Sequence, residues 1–168
     1  MKKTVFRFGL YGAITICVLF LISWFVLDGL SYFNQEVQGY VSMILSLGFV
    51  FLGIKHYRDR ENDGRVSFKK ALIIGILISL ITSLAFGILD VIYTEVLNPD
   101  FMTEYYNHSV ETLKATVPAD ELEAKLTEME SQKELFSNPL FSFAVMAMTV
   151  FVIGFIISLL SALVLQKK

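Results

Sequence analysis

Six consecutive residues, Asp59-Arg60-Glu61-Asn62-Asp63-Gly64, place oxygen-bearing side chains at alternate positions, as the start of a calcium-binding loop does. Asp59, Asp63 and Gly64 fit that pattern, but Glu61 stands where Asp or Asn is wanted. The twelfth position, which should supply a bidentate glutamate, is Lys70, and a charged lysine cannot ligate a cation. Asn62-Asp63-Gly64 therefore reads as a tight turn with Gly64 free to take positive φ, and Ser67 as the N-cap of the helix that follows. His56 has no second histidine, cysteine or suitably spaced carboxylate on one helical face, and reads as a surface histidine at a helix end.

Glu104, His108 and Glu111 share one face of a helix, at i−4, i and i+3. They offer three metal ligands, but such triplets arise readily on an exposed helix, and no metal site is assigned. Acid-base chemistry on sugars needs two carboxylates at a defined separation. Eleven acidic residues scattered between Asp90 and Glu134 do not single out such a pair. Cys17 is the sole cysteine, which excludes intramolecular disulfides and Cys-based zinc sites. No catalytic residue, metal or cofactor follows from these patterns.

The elements that carry these residues are mostly apolar. Hydrophobic residues make up 55% of the 168, above the usual soluble share, and the length suits one domain. A net charge of −2 points to no nucleic-acid partner. Crossing about 30 Å of hydrocarbon takes about 20 residues of helix, and residues 8–27, 37–54, 71–89 and 140–165 are long enough. The second, with Gln38, Ser42 and Ser46, is the weakest, leaving three spans and a re-entrant segment as the alternative. Lys2, Lys3 and Arg7 before the first run imitate a secretory signal, but the run is long for one and no small-residue cleavage site follows.

Orientation follows from Lys and Arg in the short flanks. Eleven of the 14 basic residues lie at the termini or between the second and third spans: Lys2, Lys3, Arg7, Lys55, Arg58, Arg60, Arg65, Lys69, Lys70, Lys167 and Lys168. The other three, Lys114, Lys125 and Lys133, lie between the third and fourth. Four spans put the eleven on one side, so both termini are expected in the cytoplasm and the chain in the inner (plasma) membrane. Lys55, Arg58, Arg60, Arg65, Lys69 and Lys70 could also contact anionic lipid head groups, although any positive-inside loop looks like this.

Residues 98–137 are expected to form an extracytoplasmic helical insertion. Asn98-Pro99-Asp100 reads as N-cap, first-position proline and acidic first turn. Met102, Tyr106, Val110, Leu113 and Val117 form one stripe, and Leu122, Leu126, Met129 and Phe136 a second after Pro118, with Lys133 interrupting it. The two amphipathic helices would pack as a hairpin or lie on the membrane, where Phe101, Tyr105 and Tyr106 suit the interface. Asn138-Pro139 repeats the cap-and-proline start before the last span.

Within the spans ionisable residues are nearly absent; Asp90, at the outer end of the third, comes closest. Gly75, Ser79, Ser83 and Gly87 recur every fourth residue in the third span, and Gly154, Ser158 and Ala162 in the fourth. Small residues at this spacing let helices approach closely in lipid, and these stripes read as packing seams.

The order of these features resembles a family of small bacterial membrane proteins known as domain-of-unknown-function family 4199. The residues that carry it are Tyr57 to Gly75 ("YRDRENDGRVSFKKALIIG"), "NPDF" from Asn98 to Phe101, and "GFIISLLSALVLQKK" from Gly154. The resemblance implies a multi-pass inner-membrane protein and no assigned activity. Asp59, Gly64, Ser67 and Asp100 match its recurring pattern, at positions where turns and caps also explain them.

The expectation is an all-α membrane protein of four transmembrane helices, with an amphipathic helical hairpin between the third and fourth. Its leading functional reading is a non-catalytic accessory or interaction protein of the cell envelope. It would be embedded in the lipid bilayer and bind a membrane or envelope protein or a second copy of itself. A subunit of a small transporter or channel, and a membrane enzyme acting on a lipid or envelope substrate, are the alternatives.

Overall fold

The computed structural model describes residues 1–26 and 32–167; Leu27 and Asp28, which bound the first expected span, and Lys168 lie outside the described residues. Among the described residues six α-helices follow in order: α1 Lys2–Val26, α2 Tyr32–His56, α3 Phe68–Ile92, α4 Phe101–Thr116, α5 Ala119–Phe136 and α6 Pro139–Leu165. Single π-helical turns, Tyr57–Glu61 and Tyr93–Leu97, extend α2 and α3. Helices α1, α2, α3 and α6 are long and apolar enough to cross a membrane. Their physical logic is that of lipid, where a backbone must satisfy its own hydrogen bonds and a helix does so completely. The weakest expected span, 37–54, lies within the 25 helical residues of α2.

The chain divides into two compact units, residues 1–86 with 147–168, and residues 87–146. In the first, α1 packs along α2. Close approaches at glycine show the remaining contacts. Gly12 of α1 faces both Thr82 of α3 and the Ser46 carbonyl of α2, and Gly53 of α2 faces Phe8 and Ile78. Gly154 of α6 faces Ser79 and Leu47. Helices α2 and α3 thus form the shared centre, each touching both α1 and α6. Ile16, Leu47, Val50, Ile54, Ile74, Ile78 and Val150 are fully buried there. Ile44, Leu45, Leu160 and Val164 point outward, more than half exposed, as a face solvated by hydrocarbon would. Two of the buried hydroxyls return to their own helices, Ser46 donating to the Ser42 carbonyl at 2.7 Å and Thr82 to that of Ile78 at 3.2 Å.

In the second unit α4 packs against α5. The helix break is chemical: Pro118 cannot donate and disfavours α geometry before it, and Val117 is extended at ψ 136°. One expectation is corrected here. Asn98 does not cap α4; the cap residue is Asp100 and the helix starts at Phe101. Asn98 instead closes the preceding π-helical turn, its N–H donating to the Tyr93 carbonyl at 2.8 Å and its side chain to the Tyr93 hydroxyl at 3.4 Å. Asn138 does cap α6, its Oδ1 accepting from the N–H groups of Leu140 and Phe141 at 3.0 and 3.3 Å.

Candidate functional site

The basic segment after α2 is organised by hydrogen bonds. Asp63 and Gly64 both take positive φ, 50° and 75°, while Asn62 donates through its amide to the Arg65 carbonyl at 2.6 Å. Gly64 N–H returns to the Arg58 carbonyl at 2.8 Å, closing the turn. Buried Tyr57 underlies it, donating to Asn62 Oδ1 at 3.3 Å. Ser67 sits immediately before α3, its hydroxyl accepting from the Lys70 N–H at 3.4 Å.

Two of the carboxylates that resemble calcium ligands already have cationic partners. Arg58 grips Asp59 through Nε and Nη2, which donate to its two carboxylate oxygens at 2.6 and 3.1 Å. Glu61 receives the Met1 amino group at 2.6 Å and the Thr4 hydroxyl on its other oxygen. His56 lies beside this group, 2.9 Å from an Arg7 guanidinium nitrogen and 4.0 Å from Glu61. Among the described residues, no three His, Cys, Asp or Glu side chains are grouped to hold a metal ion.

The end of α6 reaches the same place. Val66 and Lys167 form a two-hydrogen-bond antiparallel bridge, each N–H donating to the other's carbonyl at 2.9 Å. Arg58 also donates to the Leu165 carbonyl at 3.4 Å. The amino group of Met1, the 57–67 segment and residue 167 are therefore gathered at one end of this unit. Of the lipid-contact candidates, Lys55, Arg60, Arg65, Lys69 and Lys70 are exposed and Arg58 is half-buried. The Lys70 ammonium lies 5.2 Å from the centre of the Tyr57 ring, a cation–π distance. Lys167 stands out only in the folded chain, since no local signal marks it as part of the loop.

The small residues of α3 and α6 meet in a reciprocal arrangement. Gly75 lies opposite Ser158 and Ser79 opposite Gly154, so each serine occupies the gap left by a glycine. The Ser79 and Ser158 oxygens are 3.2 Å apart. Each hydroxyl has one proton. Ser158 commits its proton to the Gly154 carbonyl at 2.6 Å, leaving Ser79 to share its own between Gly75 O and Ser158. Ala162, Ser83 and Gly87 are also buried, Gly87 within the second unit.

In that second unit Asp90 is buried and accepts a hydrogen bond from Ser142 of α6 at 2.7 Å. A buried carboxyl is costly without a partner even at the end of a span, and Ser142 supplies one. The sequence exposed Asp90 but not its partner, because nothing near Ser142 distinguishes it from other serines in apolar runs. On the hairpin the carboxylates of Glu104, Glu111, Asp120, Glu121, Glu123, Glu128, Glu130 and Glu134 are exposed, as is His108. Lys133 does not break the α5 stripe. It lies half-buried within it, its ammonium 4.8 Å from the centre of the Tyr106 ring, because its aliphatic stem can cover apolar surface while the charge meets a π face.

Residues 7–167 match the family described as protein of unknown function (DUF4199). No curated protein and no solved structure matches the chain.

Proposed function

This chain belongs to the DUF4199 family, and from that premise we propose that it is a non-catalytic accessory protein of the bacterial inner membrane. It recognises a membrane or envelope protein through the α4–α5 hairpin. The observation that carries this reading is the state of the hairpin's apolar seam. Tyr106, Val110 and Leu113 of α4 and Leu122, Leu126 and Met129 of α5 remain only half-buried, and no residue of α4 is fully buried. Such a seam, rimmed by exposed carboxylates, has the apolar centre and polar border of a recognition surface. The distribution of Lys and Arg supports cytoplasmic termini and an extracytoplasmic 98–137 segment. The convergence of Met1, the 57–67 segment and Lys167 at one end supports an even number of crossings.

Gentle extraction from the native membrane followed by native mass spectrometry tests the reading. A stoichiometric partner subunit, lost when Tyr106 and Leu126 are both changed to Ser, is expected. A bare monomer would overturn it, as would a partner indifferent to those two changes.

A further inference from the structure

The bridge between Val66 and Lys167 makes a recess that neither segment has alone. A cavity of about 470 Å³ opens there, lined by Val66, Ser67, Phe68, Lys69, Gln166 and Lys167. None of the six is acidic, and two are lysines, Lys69 and Lys167, brought together from distant parts of the chain. Two of the loop's three acids are already neutralised, Asp59 by Arg58 and Glu61 by the amino group of Met1, which leaves Asp63 set against the exposed Arg60 and Arg65. Lys70 is drawn away over Tyr57. The recess therefore keeps a local excess of positive charge, with Val66 and Phe68 as an apolar wall beside it.

Its depth gives the charge a ligand. Residues 68 and 165 are the ends of two helices long and apolar enough to cross a membrane, which sets Lys69 and Lys167 at the level of lipid head groups. We propose that this recess is a binding site for a phosphate group, held between Lys69 and Lys167 at the membrane boundary. The matching ligand is an anionic phospholipid, its phosphate on the lysines and its glycerol against Val66 and Phe68; a soluble phosphate would satisfy the lysines alone. Lys69 and Lys167 act here as a pair, because the bridge fixes the backbone of one beside the start of the helix that carries the other. A general positive-inside charge would be shared by every basic side chain of the loop.

Native mass spectrometry of the full-length protein in detergent decides between these, titrating phosphatidylglycerol, phosphatidylcholine and, separately, inorganic phosphate. One phosphatidylglycerol is expected to be retained at concentrations where phosphatidylcholine is not. At about fivefold per lysine, the double variant Lys69→Gln/Lys167→Gln should bind it about 25-fold more weakly. Lys55→Gln/Arg60→Gln, which removes the same charge from exposed positions outside the recess, should change binding by less than about twofold. Equal losses in the two double variants would overturn the site, since charge alone would then account for binding. So would equal retention of the two lipids together with no binding of inorganic phosphate. Displacement of phosphatidylglycerol by an equal concentration of inorganic phosphate would support the recess and assign it to a soluble phosphate.

Discussion

Replacing Gly75 with alanine sets two known effects against each other, and the α3–α6 contact decides which wins. Alanine is the better helix former by about 0.8–1.0 kcal/mol, so an unobstructed site would be stabilised. At Gly75, however, an added Cβ would stand 2.7 Å from both Cβ and Oγ of Ser158. Carbon atoms pack best about 3.5–4.0 Å apart, so the helices would have to separate by close to 1 Å. Ser158 cannot rotate its own Cβ away. Overpacking of this kind costs about 1–3 kcal/mol, and separating the helices also stretches the Ser79–Ser158 contact, worth about 0.6 kcal/mol in a membrane protein. Gly75→Ala should therefore destabilise by about 1–2 kcal/mol. In a Ser158→Gly background only Ile54 Cδ1 remains close, at 3.2 Å and at the flexible end of its side chain, so the sign should reverse, giving a gain of up to about 1 kcal/mol. Ser158→Ala should not rescue, because it leaves the offending carbon in place. Reversible unfolding in mixed micelles, measured at all four corners of the Gly75/Ser158 cycle, reads both signs. If Gly75→Ala stabilised the protein in both backgrounds, the close approach of the two helices would be refuted.

Two further changes probe the turn and the buried carboxyl. At Gly64, with φ at 75°, an added Cβ meets nothing within 4 Å, so the cost of Gly64→Ala is conformational. It should be about 1–2 kcal/mol by thermal unfolding in detergent, with Gly64→Asn less damaging because asparagine tolerates left-handed geometry; equal losses would contradict this cause. Ser142→Ala removes the hydroxyl donated to Asp90 at 2.7 Å and should cost about 1–3 kcal/mol, whereas Asp90→Asn keeps an acceptor and should cost less. A Ser142→Ala protein as stable as the parent would show that this bond does not support the fold.

The hairpin was legible in unusual detail because its helices are amphipathic, with acids and apolar residues on separate faces. Met102, Tyr106, Val110 and Leu113 recur at helical spacing on α4, and the structure leaves those four half-buried while the intervening acids face out. Lys133 was misread there because a charge scored by residue type hides the apolar stem beneath it. The shift of the α4 cap from Asn98 to Asp100 has a similar origin, since Asn98 was already engaged in the π-helical turn before it. The candidate chemistry of the 59–64 segment divided in the same way. Its turn was readable from Asn62-Asp63-Gly64, but the partners of Asp59 and Glu61 were not.

By itself, the sequence determined how many helices can cross a membrane, roughly where they begin and end, and that an amphipathic helical pair separates the last two. Length, hydropathy and caps are local quantities, and lipid demands them of each span independently. Only the tertiary structure decided which faces of those spans meet. In lipid the surroundings are as apolar as the core, so a spanning helix such as α6 need not carry a polar face to mark its outside. The register that sets Gly75 against Ser158, the pairing of Asp90 with Ser142, and the bridge that brings Lys167 to Lys69 are therefore properties of steric fit and hydrogen bonding between distant residues, and these appear only once the chain has folded.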